Sequence, residues 1–385
     1  MDELLAADIA PYVTLYHWDL PQALEDLGGW TNRDTAYRFA DFTRVVHDRL
    51  GDRVGTWMTI NEPWVAAVLG YGIGIHAPGR ASAAEAFRAS HHLLLAHGLG
   101  AQVLRDAGAG EIALTLNLTP VMTPGQVSDP DLVPSAEDAE AVNRIDCLIN
   151  RQFLDPALRG KHPDPVLAIM ERMGGIDHIH DGDLETINQP VDLLGINYYT
   201  PCVVRSEPGE PANAAYPGSE GIQFSGTHAP TTAMGWAIVP TGLSQLLTRL
   251  SRDYPEVGLL VTENGAAFDD VVAGRPRARR RQDRLLRGPP EGRARRDRGR
   301  GRPARLPGLV AAGQLRVGRG LSQALRDRAR RLRDAATAAQ GQRAVVPRGD
   351  PAQRAAPRAR QAPHPGGGRR PRGCVEVHRL PGDQR

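Results

Sequence analysis

The chain has 385 residues, and its net charge of +3 conceals two oppositely charged parts. Residues 1–270 carry 16 Lys and Arg against 36 Asp and Glu, together with all 19 aromatic residues, whereas residues 271–385 carry 31 Arg, no Lys, and 8 Asp and Glu. Cys147, Cys202 and Cys374 are too few and too scattered for a disulfide framework or a zinc site, and no apolar run is long enough to span a membrane, so those classes drop out. The acidic start Met1–Ala7 lacks the character of a secretory signal, and the sparse cysteines fit a reducing compartment; a cytoplasmic location is the expectation.

The first 270 residues alternate strand-like and helix-like stretches, the pattern of βα units around a parallel sheet. A short helical start leads into a strand over Tyr12–Trp18. Tyr37, Phe39, Ala40, Phe42, Val45 and Val46 recur at helical spacing and predict a helix over Asp34–Leu50. A strand is expected over Val54–Ile60, a helix over Ala81–Ala107, a strand over Ile112–Leu118 and a helix over Glu137–Arg151. A strand over Val191–Tyr198, a helix over Thr241–Asp253 and a strand over Leu259–Thr262 complete the series. Ser206–Thr232, rich in Gly, Pro and Ala, reads as a long excursion on the loop face of the sheet.

Five strands then end in polar or aromatic residues: His17, Glu62, Asn117, Asn197 and Glu263. Two of these ends carry a glutamate followed closely by a breaker, in Thr59-Ile60-Asn61-Glu62-Pro63 and Val261-Thr262-Glu263-Asn264-Gly265. A parallel α/β barrel keeps its chemistry at the C-terminal ends of its strands, and two opposed carboxylates are the minimum equipment for glycoside hydrolysis. Alone, each motif is a weak signal, since an Asn-Glu-Pro or Glu-Asn-Gly can be a turn and a lone strand-end glutamate is more often simply solvated. His178 and His180 hint at a metal pair, but their Asp- and Gly-rich surroundings read as an exposed loop, and no metal or cofactor is expected. Cys147 is expected in a helix core.

Across residues 1 to about 274 the motifs resemble glycoside hydrolase family 1, the β-glucosidase family. The matching pieces are TLYHWDLPQAL (Thr14–Leu24), GGWTNRDT (Gly28–Thr35), WMTINEPW (Trp57–Trp64), GYGIGIHAPG (Gly70–Gly79), LLGINYYTP (Leu193–Pro201), MGWAIVPTGL (Met234–Leu243) and VTENGAAFDD (Val261–Asp270). The resemblance implies a (β/α)8 TIM barrel that hydrolyses β-D-glucosides with retention and binds a small β-glucoside or oligosaccharide. It implies Glu263 as nucleophile, Tyr199 as the phenol that holds it, and Glu62 as acid/base. It also implies Asn61 at the sugar 2-hydroxyl, His17 and Trp18 as a sugar-binding wall, Trp236 at the aglycone entrance, and Asn197 on the same strand face as Tyr199. Asn117, His76 and Tyr71 lie near the same loops.

Against the family pattern, the chain starts at the helix before the third strand, so an incomplete barrel of about strands 3–7 is expected over residues 1–274. Residues 275–385 read as an Arg-, Pro- and Gly-rich disordered tail. Codons permitted for Leu309–Arg326, read one nucleotide later, spell WSLLDNFEWAEGYPKRFG, which resembles the family's final strand and sugar-binding loop; the tail therefore reads as a frameshift product. Impaired turnover is the corresponding expectation. The alternative is an inactive fragment whose polybasic tail binds nucleic acid through phosphate charge.

Overall fold

The structure, a computed structural model, describes residues 1–268 and the strand pair Val310–Ala311. Every expected strand is present: β1 (Tyr12–Tyr16), β2 (Thr56–Asn61), β3 (Glu111–Asn117), β4 (Leu193–Tyr198) and β5 (Gly258–Asn264). They lie side by side in chain order and all run parallel. A sixth strand, β6 (Val310–Ala311), which the sequence reading did not anticipate, adds in parallel to β5. The result is an arc of a (β/α)8 barrel. The reading of residues 275–385 as disordered lies outside the described residues, apart from β6.

The strands are nearly continuous apolar runs because helices cover one face and barrel packing the other. Every residue of β2 and β4 is buried. The expected helices form as α1 (Asp34–Leu50), α2 (Ala83–Asp106), α3 (Ala136–Asp146) and α4 (Pro240–Asp253). The Ser82 hydroxyl caps α2 by accepting from the Glu85 backbone N–H. Phe87, Leu93, Leu94, Leu95 and Leu104 of α2 are buried in the main core. After β4, Cys202–Ser206 and Ile222–Phe224 join Val121–Met122, which follows β3, in a small side sheet.

Sequence reading found no helix between residues 152 and 190, yet three are present: Gln152–Arg159, Asp164–Met173 and Asp183–Ile187. Pro165 lies in the first turn of its helix, where its missing N–H costs nothing. A π-helical turn, Cys147–Arg151, joins α3 to the first of the three, and Cys147 is buried as expected. His178 is not on an exposed loop: it is 3 % exposed and packs against α2.

His178 belongs to a buried cluster with His91, His92 and His162. Its ring lies 5.5 Å from that of His91, and the His162 ring lies 5.7 Å from His91. His91 Nε2 is 2.8 Å from Asp183 Oδ2, and Arg33 pairs with both oxygens of Asp183. Burial pushes His92 and His162 down to about 4 and His178 to about 3. Burial alone would raise Asp183, but hydrogen bonds from Arg33, His91 and the His180 N–H hold its carboxyl well below the usual range.

Two outcomes follow for stability. The unfolded imidazoles protonate near 6.5 while the folded ones stay neutral, so the unfolded chain takes up more protons as pH falls. Stability is then full above about pH 6.5 and declines toward about pH 4. Below its ordinary value of 3.8, Asp183 adds to the decline, because the unfolded carboxylate protonates first. Thermal unfolding followed by circular dichroism should show Tm dropping through this window, and His162→Phe should flatten the slope. Separately, a Cβ on Gly98 would sit 1.9 Å from the Thr186 carbonyl oxygen, whereas one on Gly55 meets nothing within 4 Å. Denaturant titration of Gly98→Ala should show a loss of about 1–3 kcal/mol, with Gly55→Ala much closer to wild type.

Candidate active site

Parallel pairing brings the strand ends out on one edge of the sheet, and each end there is shaped by a local irregularity. The β2–β3 ladder slips between Met58 and Asn61. The Glu62 N–H still bonds the Thr115 carbonyl at 2.9 Å. Pro63 then ends the strand, since it has no N–H to offer. Glu62 adopts φ +49°, in the left-handed region, and its side chain is buried at 4 % exposure. Directly after it, Val65–Gly72 forms a π-helix packed on α2.

Asn61 links Glu62's strand to the end of β1. Its carbonyl accepts from Trp18 Nε1 at 3.1 Å, and its Nδ2 lies 3.2 Å from His17 Nε2. The His17 and Trp18 rings meet edge to face at 5.0 Å, and Trp18, at φ +72°, leans toward His76 with 5.8 Å between rings. His17 and Trp18 are exposed.

Asn197 sits at the centre. In the sheet it pairs with Asn117 on one side and Glu263 on the other. Its Nδ2 donates to Glu62 Oε1 at 2.7 Å and to Asn61 Oδ1 at 3.1 Å. Strand alternation turns Tyr198 the other way, where its hydroxyl donates to the Val239 carbonyl. Tyr199 returns to the site and donates to Glu263 Oε2. Trp236, held on a loop whose Thr232 N–H bonds the Trp236 carbonyl, packs its ring 5.5 Å from that of Tyr199.

All eight residues singled out from the sequence thus fall in one connected cluster: His17, Trp18, Asn61, Glu62, Asn197, Tyr199, Trp236 and Glu263. Tyr71 lies elsewhere: its hydroxyl donates to Glu25 and accepts from the Trp30 N–H, pinning a loop. One polar member was missed. Thr262 Oγ1 donates to Asn197 Oδ1 at 2.5 Å. Strict alternation would aim Thr262 away from Glu263's side. The ladder slips here: Ile196 pairs with Val261 but Asn197 with Glu263, so Thr262 is the extra residue of a bulge.

Burial pushes the Glu62 carboxyl up to about 7; the Asn197 hydrogen bond opposes this, and the Glu263 charge adds to it. Burial, then the Glu263 hydrogen bond, raises Tyr199 above the usual phenol range, so it stays a donor. The arrangement can deliver a proton from one carboxyl while a phenol-held carboxylate stands beside it. Among the described residues, no three His, Cys, Asp or Glu side chains converge to hold a metal.

The sequence profile of Glycosyl hydrolase family 1 matches residues 1–284. A thermostable β-glucosidase B from Thermobispora bispora is 56 % identical over 275 residues, covering 71 % of this chain and 54 % of the relative. A bifunctional β-D-glucosidase/β-D-fucosidase from Bifidobacterium breve is 44 % identical over 283 residues, covering 71 % and 58 %. The crystal structure of a psychrophilic β-glucosidase from Micrococcus antarcticus superposes with a TM-score of 0.65 at 45 % identity, covering 71 % of this chain and 60 % of that one. The chain therefore spans little more than half the length of these relatives. With a profile match over most of its length, the chain belongs to glycosyl hydrolase family 1.

Proposed function

We propose that this chain hydrolyses β-D-glucosides with retention of configuration, through Glu263 as nucleophile and Glu62 as general acid and then base. One observation carries the reading. Glu62 is buried, pushed up to about 7, and senses the charge of a second carboxyl, Glu263, that a tyrosine holds. The β-glucosidase names of the relatives above support the substrate class and favour it over the polybasic alternative.

In the first step Glu263 attacks the anomeric carbon while Glu62 gives its proton to the departing oxygen. The leaving alcohol departs and a glycosyl ester remains on Glu263. Esterification removes the Glu263 charge, which was one of the influences raising Glu62. Glu62 then becomes the stronger acid and, once ionised, takes a proton from the incoming water. Water attacks the same carbon from the face the alcohol left, and configuration is retained. Asn61 binds the sugar 2-hydroxyl, His17 donates to another hydroxyl, and Trp18 covers an apolar ring face. Trp236 lines the path of the aglycone.

Turnover is slow in this reading. His17 and Trp18 are exposed, Glu263 is only half-buried, and the outer edge of β1 has no strand beside it among the described residues. Water therefore competes at a site that works best when dry.

The full chain incubated with an aryl β-D-glucoside tests this. Glu263→Gln should cut turnover by on the order of 10³-fold or more. Glu62→Gln should cut it by about 10²–10⁴-fold with a poor leaving group, and less with an activated phenol that needs no proton. In the wild type, turnover should fall as pH rises past about 7, where Glu62 loses the proton it must donate. Full turnover in Glu263→Gln would overturn the assignment.

A further inference from the structure

Asn197 is buried at 1 % exposure, so each polar atom of its amide needs a partner. The nitrogen has two protons, and both are committed, one to Asn61 Oδ1 and one to Glu62 Oε1. The oxygen is served by Thr262 Oγ1 at 2.5 Å. An amide nitrogen cannot accept, so in the contact between Asn61 Nδ2 and His17 Nε2 the imidazole is the acceptor. The hydrogen bonds then run in one sense, Thr262 to Asn197 to Asn61 to His17, with a branch from Asn197 to Glu62. Such chains polarise one another, so each donor is strengthened by the bond its carbonyl accepts.

We propose that Thr262 is a positioning residue for the acid/base of this site, acting through Asn197: its hydroxyl anchors the amide oxygen and so keeps an amide proton aimed at Glu62. The inference rests on the catalytic reading above, since it gives that reading's acid/base a support. Without the hydroxyl, Asn197 Oδ1 is left unpaired in a buried site, and the side chain turns to find another donor. Glu62 then loses the one side-chain hydrogen bond it receives among the described residues, which favours its ionised form, while its burial is unchanged. The other polar and charged groups around it remain: Glu263 on β5, Tyr199 after β4, and Asn61 with His17 at the end of β1. The bulge explains why a residue next to the nucleophile in sequence serves the acid/base in space.

The test is a titration of the Glu62 carboxyl in the full chain, labelled with ¹³C at the glutamate side-chain carboxyl and assigned by the loss of its resonance in Glu62→Gln. Thr262→Val should raise the midpoint by about one pH unit, the scale of a hydrogen bond to a charged group. Thr262→Ser keeps the hydroxyl and should leave the midpoint in place. Asn197→Ala should raise it similarly, and the Thr262→Val/Asn197→Ala pair should go no higher than Asn197→Ala alone, because both act through one bond. If Thr262→Val does not fold, Thr262→Ala gives the same reading. An unmoved midpoint in Thr262→Val or Thr262→Ala, or additive shifts in the pair, overturns the proposal. The readout needs no turnover. Full activity in Glu263→Gln would remove the catalytic reading and leave this measurement standing, and an unmoved midpoint would remove Thr262 and leave the glutamates.

Discussion

Where each parallel ladder stops decides what the strand ends can do. Neighbouring strands are locked by main-chain bonds, so Asn117, Asn197 and Glu263 come out as adjacent rungs on β3, β4 and β5. Asn197 can reach Glu62, 135 positions away in the chain, only because β3 separates their strands by a fixed width. Two slips in the ladders, one before Asn61 and one at Thr262, adjust this frame locally. A bulge re-aims a side chain without moving the strand that carries it, and both bulges lie beside a glutamate.

Burial by itself fixes neither the charge nor the role of a carboxyl. Glu62 and Asp183 are nearly equally hidden, at 4 % and 2 % exposure, and shift in opposite directions. Asp183 receives two bonds from Arg33, one from His91 and one from the His180 N–H, and these outweigh its burial. Among the described residues, Glu62 receives one side-chain bond, from a neutral amide, and faces a like charge instead of an arginine. The first arrangement ties α1, α2 and the segment before β4 together. The second leaves a proton loosely held near neutrality, which is what an acid that must also act as a base requires.

The strands were legible because their cues are local, and the eight candidate site residues because the motifs around them resemble those of a known family. β-rich runs end at Pro63 and Gly265, and the polar residues stand at those ends. What escaped depends on contacts distant in sequence or on broken periodicity. Asp177, Asp181 and Gly182 made the neighbourhood of His178 look solvated, yet α2 covers it, with His91 and His92 against its ring. Thr262 was hidden by the period-2 rule itself, since alternation assigns neighbours to opposite faces and only the bulge cancels that. Gly98 carries no pattern at all; its reason is the Thr186 carbonyl on the far side of a helix contact.

β6 separates two jobs that a barrel strand usually performs together. Leu260 pairs with Val310 and Val261 with Ala311, so the sheet continues past β5. Parallel pairing asks only for main-chain donors and acceptors, and a sheet covered on both faces favours an apolar run. Val310 and Ala311 are apolar residues in an arginine-rich stretch, so their sequence suits such pairing. The chemistry of a barrel comes from the residues just beyond each strand. The next two residues in the sequence, Ala312 and Gly313, carry no polar side chain. An edge can therefore be extended by backbone alone, while the groups that would grip a sugar at that position have to be written residue by residue.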